Sequence, residues 1–150
     1  MLKENTPAPD FTLPDETGEM RSLSSYLGQN IVLYFYPKDD TPGCTTEACK
    51  FRDDYSAYEK SDVVILGVSP DSPKSHAKFK AKYQLPFTLL SDEDHKVCER
   101  YEVWGKKKMY GKEYDGVFRT TYIIGKDGKI LKVFENVKPA DHSAEILAVL

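Results

Sequence analysis

No apolar run in this sequence is long enough to span a bilayer or to form the hydrophobic centre of a signal peptide. That absence sets the expectation of a cytoplasmic protein with no membrane partner. Neither sign of charge dominates. The chain sets 21 Lys and Arg against 24 Asp and Glu, a net −3, so no electrostatic footprint points to nucleic acid. Cysteine is scarce: three in 150 residues is an odd number, and too few for a secreted domain stapled by disulfides. Cytosolic thiols stay reduced unless they are catalytic, sensing or metal-bound, so any cysteine pair here is a candidate for chemistry. Repeats, low-complexity tracts and polar linkers are also missing. With 40% hydrophobic residues, the expectation is one domain over 1–150.

What is present alternates between strand and helix patterns. Phe11–Leu13 and Met20–Leu23 flank the turn-like Pro14-Asp15-Glu16-Thr17-Gly18 and predict an N-terminal β-hairpin covering an edge. Ile31–Tyr36 and Val63–Val68 are continuous apolar runs, the mark of strands buried on both sheet faces. Between them Cys44, Ala48, Phe51, Tyr55 and Tyr58 share one helical stripe, giving a β-α-β unit. Asp71-Ser72-Pro73 launches a helix through about Tyr83, Phe87–Leu90 reads as a short strand, and Ser91–Asp94 caps a helix carrying Val97, Cys98 and Tyr101. Trp104–Val117 reads as a loop with the solvated run Lys106-Lys107-Lys108. Arg119–Ile124 and Lys129–Phe134 bracket an Asp-Gly turn and should pair antiparallel, and a terminal helix places Ile146, Leu147 and Leu150 on one side. The architecture expected is α/β: a mixed central sheet with helices on both faces.

Thr41-Pro42-Gly43-Cys44 has the chemistry of a helix entrance, with Thr41 as N-cap, Pro42 at the first helical position and Cys44 at the third. The third position is where a capping-box carboxylate folds back towards the free N–H groups of the first turn, and a thiolate there has the same electrostatic advantage. A cysteine thiol titrates near ~8.5 when free and falls to about 3.5–7.5 at helix N-termini or beside cations. Such a thiolate attacks a peroxide to give a sulfenic acid, and the departing oxygen needs donors: backbone N–H groups, the Thr41 hydroxyl and one arginine. Of the four arginines, Arg21 lies in the N-terminal hairpin and Arg52 and Arg100 in predicted helices, whereas Arg119 opens a core strand and is the choice. Cys49 lies five residues beyond Cys44 on the same predicted helix, about 7.5 Å along its axis. A disulfide needs Cα atoms within about 6.8 Å. Resolution of the sulfenic acid by Cys49 therefore requires the helix to unwind locally, leaving an exposed bridge for an external dithiol to reduce.

The stretch PKDDTPGCTTEAC at 37–49, with GVFRTTYIIGKDGKI at 116–130, resembles the peroxiredoxin family, in its bacterioferritin-comigratory-protein or Q-type branch. The Pro-x-x-x-Thr-x-x-Cys pattern falls on Pro37, Thr41 and Cys44, the family arginine on Arg119, and the glutamate that orients it on Glu47. The resemblance implies a thioredoxin-like fold, reduction of hydrogen peroxide and organic hydroperoxides, and no metal or haem. It further implies thioredoxin or a similar dithiol as partner, and a monomer. Some relatives carry the resolving cysteine on a later helix, but SPKSHAKFKAKYQL at 72–85 contains none, which leaves Cys49.

The blander readings sit beside these. Cys98, on an apolar helical face, reads as inert core, and His76 and His142 as solvated side chains. A zinc site built from His95 and Cys98 with Cys44 and Cys49 lacks the tight ligand pairs that structural zinc uses. A thiol–disulfide oxidoreductase normally uses Cys-x-x-Cys, and four residues separate the two cysteines here. A one-shot redox sensor would share the sulfenic acid but not the turnover.

Overall fold

The computed structural model of the chain describes residues 1–150. Five strands form the central sheet: β3 (Asn30–Phe35), β4 (Val63–Ser69), β5 (Thr88–Ser91), β8 (Thr120–Ile124) and β9 (Ile130–Phe134), in the order β5-β4-β3-β8-β9. β3, β4 and β5 run parallel, β8 is antiparallel to β3 and β9 antiparallel to β8, which makes the sheet mixed. The N-terminal hairpin is β1 (Thr12–Pro14) and β2 (Met20–Ser22), and its Asp15 bridges to Leu90 on the edge strand β5.

Side-chain alternation along β3 divides the core in two. Ile31, Leu33 and Phe35 pack with Leu66, Val68, Tyr122 and Ile124 under the hairpin and α4 (Lys96–Arg100). Val32 and Tyr34 face the other way. There they meet α1 (Pro42–Asp53), α2 (Tyr55–Lys60), α3 (Pro73–Tyr83) and α5 (His142–Val149) through Phe51, Tyr58, Phe79 and Ile146. Each such side chain, fully buried, contributes about 1.5–3 kcal/mol. Cys98 lies in the first cluster and Cys44 in the second, so the sheet separates them and no shared zinc site exists. No helix is long and apolar enough to cross a membrane.

Several expectations change. The stripe from Cys44 to Tyr58 is two helices: the chain breaks at Asp54, and α2 resumes with Tyr58 still buried against Phe51. Trp104–Val117 is a hairpin, β6 (Trp104–Met109) and β7 (Lys112–Val117), turned by Tyr110 and Gly111 at φ 53° and 75°. Adjacent positive φ values are what a two-residue hairpin loop demands. Leu150 is exposed beyond the end of α5. His76 and His142 are both fully buried. His76 pairs with Asp39 at 2.7 Å and reaches the Leu90 carbonyl at 3.0 Å, and His142 Nε2 meets the Thr121 hydroxyl at 2.7 Å. His76 is satisfied at both ring nitrogens, which makes its burial tolerable, whereas His142 is bonded at Nε2 and its Nδ1 lies 3.5 Å from Glu145 Oε1.

Candidate active site

β3 delivers the chain to Pro37, and α3 then ties down the loop that follows. Asp39 accepts from the Tyr36 hydroxyl at 2.6 Å and the Ser75 hydroxyl at 2.8 Å, and its backbone N–H donates to Asp71 at 2.8 Å. Asp40, at φ 55°, accepts from Lys82 and the Tyr83 hydroxyl at 2.8 and 2.7 Å. Helix α1 begins immediately afterwards, with Pro42 first and Cys44 third. Thr41 occupies the N-cap, but its hydroxyl caps no N–H. It donates instead to the Lys38 carbonyl at 2.9 Å, closing the loop on itself. The free N–H groups of the first turn are thereby left for an anion rather than consumed by the cap.

Cys44 is only 2% exposed, and Arg119 Nη2 donates to its Sγ at 3.0 Å. Arg119 comes from the residue just before β8 and approaches over Gly43, where an added Cβ would lie 2.7 Å from Nη2. Glycine at 43 is therefore the condition for the arginine's approach. The same guanidinium donates through Nη1 to Glu47 Oε1 at 3.3 Å. Glu47, one turn beyond Cys44 on α1, is 2% exposed. Burial pushes its carboxyl up to about 8, and the nearby Arg119 charge pulls against that rise. A glutamate kept largely in its neutral form by burial can accept from Arg119 without cancelling its charge, which remains available to sulfur.

Beyond the buried sulfur, Arg119 and Thr41 border a cavity of about 550 Å³ that Pro37, Lys107, Met109 and Tyr114 also line, among others. That space is far larger than hydrogen peroxide needs. The structure thus brings Pro37, Thr41, Cys44, Glu47 and Arg119 to one place. Cys49 lies apart on the same intact helix, partly exposed, and all three cysteines are free thiols. Cys98 is fully buried, its thiol driven far above the ordinary range by burial and then by Asp92, so it is inert.

Sequence reasoning missed Lys107, which turns into the cavity instead of lying in a solvated run. It also missed the Asp39–His76 pair. A signal existed for the latter: His76, Phe79 and Tyr83 recur at helical spacing, and the two aromatic rings pack edge to face.

Comparison with known proteins agrees with this geometry. The family model described as AhpC/TSA matches residues 5–133. The chain is 54% identical to peroxiredoxin Bcp of Bacillus subtilis over 143 residues, 95% of this chain and 91% of that one. Among solved structures it resembles a Xylella fastidiosa PrxQ mutant at a TM-score of 0.94 and 35% identity, covering 99% of this chain and 95% of the other. It also resembles the bacterioferritin comigratory protein of Xanthomonas campestris, described for its alkyl peroxide reduction activity. There the TM-score is 0.88 and the identity 39%, over 93% of this chain and 88% of that one.

Proposed function

Since the chain belongs to the AhpC/TSA family of peroxiredoxins, and is with it a thiol peroxidase, we propose how its residues divide the reaction. Cys44 is the attacking thiolate. Arg119 holds it at 3.0 Å and then follows the charge onto the peroxide oxygens, Glu47 orients Arg119, Thr41 closes the loop, and Pro37 walls the cavity. The product is a Cys44 sulfenic acid. Cys49 attacks it after the first turns of α1 unwind, and the disulfide is reduced by thioredoxin or a similar dithiol. Hydrogen peroxide and alkyl hydroperoxides are both substrates, and the 550 Å³ cavity favours the latter. The protein acts as a single-domain monomer in the cytoplasm.

The observation that carries this reading is the Arg119–Cys44 contact at a helix start. A coupled assay with thioredoxin, its reductase and NADPH tests it. Cys44→Ser is expected to abolish peroxide consumption, and Cys49→Ser to consume one equivalent and stop. Mass mapping of the oxidised wild type should find Cys44 joined to Cys49. A bridge to Cys98, or full recycling in Cys49→Ser, would remove Cys49 from the mechanism.

A further inference from the structure

Attack on a hydroperoxide leaves a strongly basic alkoxide or hydroxide, and Arg119 is a poor source of the proton it needs because a guanidinium does not give one up at any ordinary pH. A second cation faces the same cavity. Lys107, on β6, lines it together with Thr41 and Arg119. Its stem lies across β7 over Gly116, where an added Cβ would meet Lys107 Cδ at 3.1 Å, and its ammonium donates to the Val117 carbonyl at 2.9 Å. That bond uses one of three ammonium hydrogens. Three cations, Lys38, Lys107 and Arg119, thus line this space against one carboxylate, the exposed Asp115, an excess of positive charge that favours an anion forming there. Burial, followed by the Arg119 charge, lowers the basicity of Lys107, which makes it a better proton donor, while the Cys44 sulfur acts in the opposite direction.

We propose that Lys107 is the general acid of the peroxidase reaction, delivering the proton to the departing oxygen. The step rests on the peroxidase reading above. The Cys44 thiolate attacks the terminal oxygen of R–O–O–H, an S–O bond forms and the O–O bond breaks. Sulfur is oxidised to the sulfenic acid and the peroxide is reduced. The R–O oxygen leaves with the bonding pair and takes a proton from Lys107 Nζ, giving R–OH, and water then returns the proton to the amine.

The test compares leaving groups. tert-Butyl hydroperoxide expels an alkoxide that needs a proton, whereas peracetic acid expels acetate, which does not. Stopped-flow rates of Cys44 oxidation in full-length protein are measured for the wild type, Lys107→Met and Lys107→Arg. Lys107→Met is expected to slow the alkyl hydroperoxide about 100-fold, within the usual range for general acid catalysis. It should leave peracetic acid nearly unchanged. Lys107→Arg, which keeps the charge but is a far weaker acid, is expected to restore little of the loss. Equal slowing of both oxidants, no slowing of either, or full recovery in Lys107→Arg would overturn the proposal while leaving the peroxidase reading intact. A wild type inert to both oxidants would overturn that reading as well.

Discussion

Glu47→Gln tests the electrostatics of the site without changing its shape. The carboxyl titrates at about 8 in the folded chain, against an ordinary 4.5, because burial opposes its charge. Between these values the folded state holds one proton that the unfolded state has lost. Stability is therefore complete below about pH 4.5 and falls by about 1.4 kcal/mol per pH unit as pH rises towards 8. Over the whole window the ionised carboxylate costs on the order of 5 kcal/mol, with the Arg119 attraction already included. Glutamine keeps an acceptor for Arg119 Nη1 and removes the titration. Urea melts of both proteins from pH 5 to pH 9 should give a stability difference that grows with pH in favour of Glu47→Gln, by several kcal/mol on this scale, and levels off above pH 8. His142, whose basicity burial lowers, costs stability as pH falls below its ordinary range, but it is present in both proteins and cancels in the difference. A difference that is flat with pH would mean that Glu47 is ionised throughout, and the reasoning would fail.

Arg119→Lys keeps a charge but loses the fork that spans Cys44 and Glu47, and its rate of Cys44 oxidation should fall by about 10²–10³ in stopped-flow mixing. Oxidation should strip hydrogen-exchange protection from the Pro42–Cys49 part of α1 while Phe51–Asp53 stays protected. Uniform loss over the whole helix would contradict a local opening. Gly67→Ala on β4 would set a Cβ 2.9 Å from both Leu89 Cδ2 and Tyr34 Cζ, so urea denaturation should register a loss of about 1–3 kcal/mol.

The strands of the central sheet were readable because burial on both faces leaves an uninterrupted apolar run, as in residues 31–36 and 63–68. The helix start at the candidate site was readable because Thr-Pro-Gly-Cys combines a cap residue, a first-turn proline and a thiol in helix register. The β6–β7 hairpin was not. One of its faces carries cross-strand pairs of opposite charge, Lys106 with Asp115 and Lys108 with Glu113, while the other, with Lys107, Met109 and Tyr114, faces an open cavity. Only the Trp104–Val117 end enters the core, so the apolar alternation that marks a strand never develops along the rest, and Tyr-Gly is a weaker turn signal than Asn-Gly. The break at Asp54 was hidden for the opposite reason. α2 resumes almost in phase, so the stripe continues through it. The buried histidines are hidden in the sequence because their polarity masks their helical spacing, although His142 precedes the core residue Ile146 by one helical turn.

The anchoring of α1 explains why so disruptive a step as breaking a helix can be confined. Behind the reactive turn, Phe51 is fully buried, Arg52 donates to the Tyr83 carbonyl at 2.8 Å, and Asp54 accepts from the Ser143 hydroxyl at 2.7 Å, itself 3.0 Å from the Tyr58 hydroxyl. Ahead of it, Asp39 and Asp40 bind the loop to α3. Between these anchors the only long-range side-chain hydrogen bonds to the turn come from one guanidinium, which donates to the Cys44 sulfur and to Glu47, and Cys44 and Ala48 pack into the core. In the proposed reaction a thiolate becomes a neutral sulfenic acid, which removes a negative charge from beside Arg119, and charge-assisted hydrogen bonds are about twice as strong as neutral ones. In the proposed mechanism the chemical step thus weakens a contact of its own helix turn, and the anchors would confine the opening to Pro42–Cys49, the stretch that must unwind for Cys49 to reach Cys44.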